Sequence, residues 1–121
     1  GHLEVVRALL EHGVDVNDVG PGGRTALHNV VIHGWDANLV ELLVNAGADI
    51  EARAWRGATA LHLAAQDPDT GHQRRRRITA VLLEHGADKD ALNSRGHSPL
   101  RLAAESGNVA ATRALVAAGA D

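Results

Sequence analysis

Apolar residues along the chain fall into short helical patterns that recur at long range. Leu3, Val6, Leu9 and Leu10 keep to one helix face. The adjacent pairs Leu9/Leu10, Leu43/Val44, Leu82/Leu83 and Leu115/Val116 hold matching places, each just upstream of a glycine. Those glycines, Gly13, Gly47, Gly86 and Gly119, are separated by 34, 39 and 33 residues. From each of the first three to the hydroxyl residue that opens the next helical motif, at Thr25, Thr59 and Ser98, the step is always 12. The variation in period therefore falls inside the helical part. Each unit reads as helix, short connection, helix, then an extended loop. Thr25, Thr59 and Ser98 are suited to cap the first helices, because a side-chain oxygen can accept from the free N–H groups of the first turn. Pro99 stands at the first helical position, where its missing N–H costs nothing. The second helices are predicted over 3–12, 38–46, 77–85 and 109–118. Each ends at one of the four glycines, in a place that favours a left-handed backbone. None of these helices can bury its apolar face alone, whereas stacked neighbours can.

The loops and caps repeat as literally as the helices. Thr25-Ala26-Leu27-His28 returns as Thr59-Ala60-Leu61-His62 and, altered, as Ser98-Pro99-Leu100-Arg101. His62-Leu63-Ala64-Ala65 and Leu102-Ala103-Ala104 continue the same motif. This pattern resembles the ankyrin-repeat family, with its units of about 33 residues and T-P-L-H-x-A signature. The resemblance covers essentially the whole chain. It implies an all-α solenoid of stacked antiparallel helix pairs with extended hairpin-like loops. The expected organisation is a half repeat at 1–20, repeats at 21–53 and 54–92, the latter with an insertion at 67–77, and a repeat at 93–121. The segment 67–77 is expected to be the most irregular part, and Trp35 to cover a one-residue insertion between helices. Leu3, Val6, Leu9 and Leu10 are expected to lack a partner helix within the chain, which implies upstream sequence or self-association.

Composition narrows the function. The 121 residues contain no Cys, so a disulfide framework and thiolate metal sites are excluded. They also contain no Phe, Tyr or Met, and a core of Ala, Leu, Val and Ile suits thin, closely packed elements. The formal charge of −3 gives no whole-molecule attraction to nucleic acid or membrane. No apolar run is long enough to span a bilayer, and an intracellular setting is expected.

Residues that could carry chemistry are better explained by the repeat. His28 and His62 sit one turn into equivalent helices, spread along the array rather than converging on a metal or substrate, and the resemblance implies a structural bond to a neighbouring loop. Asp15, Asp49, Asp88 and Asp121 recur at unit junctions, which marks them as loop-fixing. Asn17 resembles an ankyrin position that asparaginyl oxygenases hydroxylate. Asp67 to Gly71 begins like a calcium loop, but position 78, where Glu should close it, is Ile. No H-E-x-x-H or G-x-S-x-G occurs. Thr79 lies in a basic kinase-like context but aligns with the packed Val6 and Val40. The expectation is a protein with no catalytic residue, no metal and no cofactor.

The resemblance instead implies docking of a protein partner across the loop tips and first helices. Carried over by the motif, the contact residues are Arg24, Ile32 and His33 in the first full unit, Trp55, Arg56, Gln66 and Asp67 in the second, and Ser94, Arg95, His97 and Glu105 in the third. Trp and Arg are the residues enriched at interface hot spots. The row of Arg24, Arg56 and Arg95 points to an acidic segment with a hydrophobic anchor. Arg74, Arg75, Arg76 and Arg77 form a second, basic candidate site. The alternative reading is a structural array that self-associates through uncapped ends.

Overall fold

The computed structural model describes residues 2–34, 36–67 and 73–120, leaving aside the side chains of His2 and of 73–76. Among the described residues there are seven α-helices and no strand: α1 His2–Glu11, α2 Ala26–His33, α3 Ala37–Asn45, α4 Ala60–Gln66, α5 Gln73–Glu84, α6 Pro99–Ser106 and α7 Val109–Ala117. Helices pair as α2 with α3, α4 with α5 and α6 with α7. First helices stack on first helices, α2 on α4 on α6, and second on second, α1 on α3 on α5 on α7. The result is a two-layer array whose core runs through every unit, from Leu27, Leu39 and Leu43 through Leu61 and Leu82 to Ala103 and Leu115.

The caps form as the hydroxyl pattern dictates. Ser98 Oγ accepts from the Arg101 N–H at 3.2 Å, and Pro99 begins its helix. The second helices stop at glycines in the left-handed region, with Gly13 and Gly47 at φ 79° and 100°. The long loops are braced by Asp side chains that accept from the backbone two residues on: Asp15 from Asn17, Asp49 from Glu51 and Asp88 from Asp90.

Two expectations change. The third second helix opens at Gln73, not at 77, so the arginine run lies inside α5 and the irregular stretch is shorter than 67–77. Arginine is a strong helix former, and the run propagates the helix backwards despite the unfavourable sign at its start. α4 nonetheless ends at Gln66, because Asp67 is extended at φ −70° and ψ 136°. Second, α1 does have a partner: it packs on α3, with Leu3 and Val6 against the core, although Leu9 stays exposed. Thr79 is buried, as its alignment with Val40 requires, and is closed to a kinase. Trp35, most of the insertion at 68–72 and Asp121 lie outside the described residues.

Candidate functional site

Two buried histidines tie consecutive loops together and thereby set the loop tips. The Thr25 N–H donates to His28 Nδ1 at 3.0 Å, so this nitrogen carries no proton and Nε2 donates to the Ala52 carbonyl at 2.9 Å. His62 repeats the arrangement. Its Nδ1 accepts from the Thr59 N–H at 3.2 Å, and its Nε2 donates to the His97 carbonyl at 3.0 Å. Burial holds both imidazoles below the usual histidine pKa, against the opposing pull of the carbonyls they bond. Both are therefore neutral structural links, each tying the start of a first helix to the long loop that follows the second helix.

The loop tip of the second unit is fastened further. Arg53 Nη1 donates to the carbonyls of Gly57 and Leu92, at 2.8 and 2.7 Å. The Ser94 N–H donates to the Arg56 carbonyl at 2.9 Å. At Gly57, with φ +70°, a Cβ would stand 2.8 Å from Ser94 Oγ and 3.0 Å from its backbone nitrogen, so the two loops touch where only glycine fits. On this fixed turn Arg56 is the only described non-glycine residue in the left-handed region, at φ 62°, where the first full unit has Gly22. Such a position costs of order 1 kcal/mol for a side chain that is not glycine. The Arg56 guanidinium lies over the Trp55 ring, 4.2 Å from its centroid, and Trp55 remains 67% exposed.

Between these loops and the first helices runs a concave groove of about 370 Å³. Its loop side carries Arg24, Trp55, Arg56, Arg95 and His97, and its helix side carries Gln66, Asp67 and Glu105. Nine of the eleven residues carried over as partner contacts, Ile32 among them, thus line one continuous surface. His33 and Ser94 are the exceptions: His33 is exposed but does not line the groove. It is still helical, and α2 closes after it at Gly34, whereas the equivalent Asp67 leaves α4 extended and so reaches the groove. Ser94 is taken up by its contact with Arg56 and Gly57. Of the basic candidate site, Arg77 is exposed on α5, does not line the groove, and the side chains of Arg74, Arg75 and Arg76 lie outside the described ones.

Of the groove floor, only Ile32 was identified from sequence. Ile32, Leu63 and Leu102 are half-buried and form its apolar strip, with Ala54 and Ala58. In sequence Leu63 and Leu102 look like core leucines. Their distinguishing mark is position, four residues after the capping Thr59 or Ser98. Glu105 is bound to Arg101 at 3.0 Å, whereas among the described residues Arg24, Arg56 and Arg95 have no carboxylate partner. No three His, Asp or Glu among the described residues are placed to hold a metal ion, and no described helix is long and apolar enough to cross a membrane.

Comparison with known proteins agrees with the architecture. Residues 1–44 match a profile described as ankyrin repeats (many copies), and residues 38–121 one described as ankyrin repeats (3 copies). The chain is 43% identical over 77 residues to the Notch-regulated ankyrin repeat-containing proteins of Xenopus tropicalis and Homo sapiens. These matches cover 60% of this chain and 64% of each relative, so the chain spans less than two thirds of their length. It is 44% identical over 85 residues to human ankyrin repeat and SOCS box protein 18, covering 67% of this chain but 18% of that protein. The two profiles between them span all seven described helices, and the chain belongs to the ankyrin-repeat family.

Proposed function

We propose that this chain is a non-catalytic docking module whose groove receives a segment of a partner protein, with Trp55 and Arg56 as anchor and Arg24 and Arg95 steering approach. Ankyrin repeats are generally protein–protein interaction modules. The observation that carries the reading here is the exposed indole with a guanidinium stacked on it, on a loop tip fixed from three sides and opening onto an apolar floor. A fixed anchor loses little conformational freedom on binding, which favours affinity. The occupant is an acidic segment with a hydrophobic side chain: the chain rests on Ile32, Leu63 and Leu102, and its carboxylates face the loop-side arginines. The setting is intracellular, and the units are those delimited by the sequence, 1–20, 21–53, 54–92 and 93–121.

Truncating a central anchor typically costs about 2 kcal/mol or more. Trp55→Ala is therefore expected to abolish measurable partner binding while the helical circular dichroism stays unchanged. Arg24→Ala and Arg95→Ala are expected to slow association modestly, most at low salt, as rim charges do. The comparison that decides the site is Trp55→Ala against a variant with Arg74, Arg75, Arg76 and Arg77 all changed to Ser. Loss of binding in the Ser variant alone moves the site to the insertion.

A further inference from the structure

Three guanidiniums that have no carboxylate partner among the described residues, Arg24, Arg56 and Arg95, line one groove of about 370 Å³ in a molecule of formal charge −3. The local sign is thus opposite to that of the whole. Of the two acids on the helix side, Glu105 is already bound to Arg101. Like charges gathered on one wall repel, and an incoming anion removes that repulsion. Arg56 is also pre-oriented. With its Cζ 4.2 Å from the Trp55 ring centroid, the guanidinium is held at the groove wall, and its forked N–H groups match oxyanions with two parallel bonds. The strained φ of 62° at Arg56 is what places it there. A single carboxylate brings one charge to three cations. A phosphate monoester brings nearly two, with three strong acceptor oxygens.

We propose that the loop-side wall of the groove, Arg56 stacked on Trp55 together with Arg95 and Arg24, is a subsite for a phosphorylated serine or threonine carried by the docking segment. The inference rests on the docking reading above. An apolar neighbour of the phosphorylated residue occupies the strip formed by Ile32, Leu63 and Leu102. Binding is thereby conditional on a kinase acting on the partner.

The test uses the full 121-residue chain, immobilised, and pools of degenerate peptides that share a fixed central residue: phosphoserine, phosphothreonine, glutamate or serine. The phosphorylated pools are expected to bind about tenfold more tightly than the glutamate pool, the margin that one additional charge-assisted hydrogen bond supplies. The serine pool is expected to bind least. The preference is expected to vanish in Arg56→Gln/Arg95→Gln and to persist in Arg7→Gln/Arg113→Gln, which alters exposed arginines that do not line the groove. Equal binding of phosphorylated and glutamate pools, both lost in Trp55→Ala, overturns the phosphate subsite and leaves the docking reading intact. A phosphate preference that survives Arg56→Gln/Arg95→Gln but falls in Arg7→Gln/Arg113→Gln also overturns the subsite. No binding of any pool above that of Trp55→Ala overturns both. Circular dichroism of each variant separates lost contact from lost fold.

Discussion

At the residue scale, the two histidines carry more than their side-chain size suggests. His28 and His62 are 1% and 0% exposed, and each satisfies two partners in one unit and one in the loop that follows. Their role as structural residues could be read from their repetition. The carbonyls they reach, at Ala52 and His97, could not, because these lie 24 and 35 residues away with no side-chain signal. Arg56 is the complementary case: its left-handed backbone was hidden because the position holds arginine where Gly22 stands in the preceding unit. A histidine whose native pKa is lowered binds fewer protons folded than unfolded as pH falls below the ordinary imidazole value. The stability it contributes is full above about pH 6.5 and is lost as pH falls from there through the lowered native value. Protonation at Nδ1 also turns the Thr25 and Thr59 N–H groups from donors with an acceptor into donors facing a donor. The thermal midpoint is expected to be flat from pH 8 to about 6.5 and to fall below it, and the fall is expected to flatten in His28→Ala/His62→Ala. His62→Ala alone is expected to cost about 3 kcal/mol at neutral pH, from lost packing and a stranded Thr59 N–H and His97 carbonyl. Urea denaturation measures it, and a cost below about 1 kcal/mol contradicts the role.

At the element scale, helix positions were legible because caps, glycines and apolar pairs agree on them. The one clear miss, the start of α5, came where propensity and charge pull in opposite directions: arginine favours helix, but cations disfavour a helix start. Two of the three residues of the groove's apolar strip were missed for a different reason. Leu63 and Leu102 share composition and spacing with core leucines, and only the third dimension separates a half-buried floor from a buried core. The short connection between α6 and α7 has a second task that sequence did not announce. Asn108 Oδ1 caps α7 by accepting from the Ala111 N–H at 3.0 Å. Its Nδ2 donates to the carbonyls of Ala64 and Asp67 at the end of α4, at 3.3 and 2.8 Å, and Ser106 Oγ donates to the Ala65 carbonyl at 3.1 Å. The third repeat thus holds the end of α4, where the chain departs into the insertion and where Gln66 and Asp67 enter the groove. Asn108→Ala is expected to cost about 2–3 kcal/mol, a lost cap plus two stranded carbonyls. Ser106→Ala is expected to cost about 1 kcal/mol, because the Ala65 carbonyl loses one bond and no cavity forms. A shift of the urea midpoint at constant slope reads both, and equal costs for the two variants contradict the assignment.

At the scale of the whole molecule, the array is not equally dependent on its two ends. Stability in a repeat array is close to a sum of unit terms and nearest-neighbour interfaces, so the cost of removing a unit is set by what its interface satisfies. The third repeat covers α4 and α5 at once, through α6 and α7. Removing residues 93–121 strips cover from Leu61, Ala65 and Leu82, leaves His62 Nε2 without its carbonyl and frees the end of α4 from Asn108. At the other end, the described residues of 1–20 add only the partly buried Leu3, Val6 and Val16 to the core, while Val5, Leu9, Val14 and Val19 are exposed. Its junction adds the two bonds of Asn17, to the Gly47 carbonyl and from the Asp49 N–H, both exposed to solvent. The two deletions are therefore expected to differ sharply. Removing 93–121 is expected to lower the thermal midpoint by at least about 15 °C, since the stranded polar groups alone amount to about 3 kcal/mol before any apolar area is counted. Removing 1–20 is expected to lower it by about 5 °C, the worth of roughly 1 kcal/mol in a chain of this size. Binding separates the deletions as well. The first takes Arg95, His97, Leu102 and Glu105 out of the groove and is expected to abolish docking even at temperatures where the remainder is folded, while the second removes no lining residue and leaves affinity unchanged. Scanning calorimetry on both deletions, with titration of the same phosphorylated pool, measures the two effects side by side. Equal midpoints, or equal loss of binding, would show that the array behaves as one cooperative block rather than as neighbours supporting neighbours.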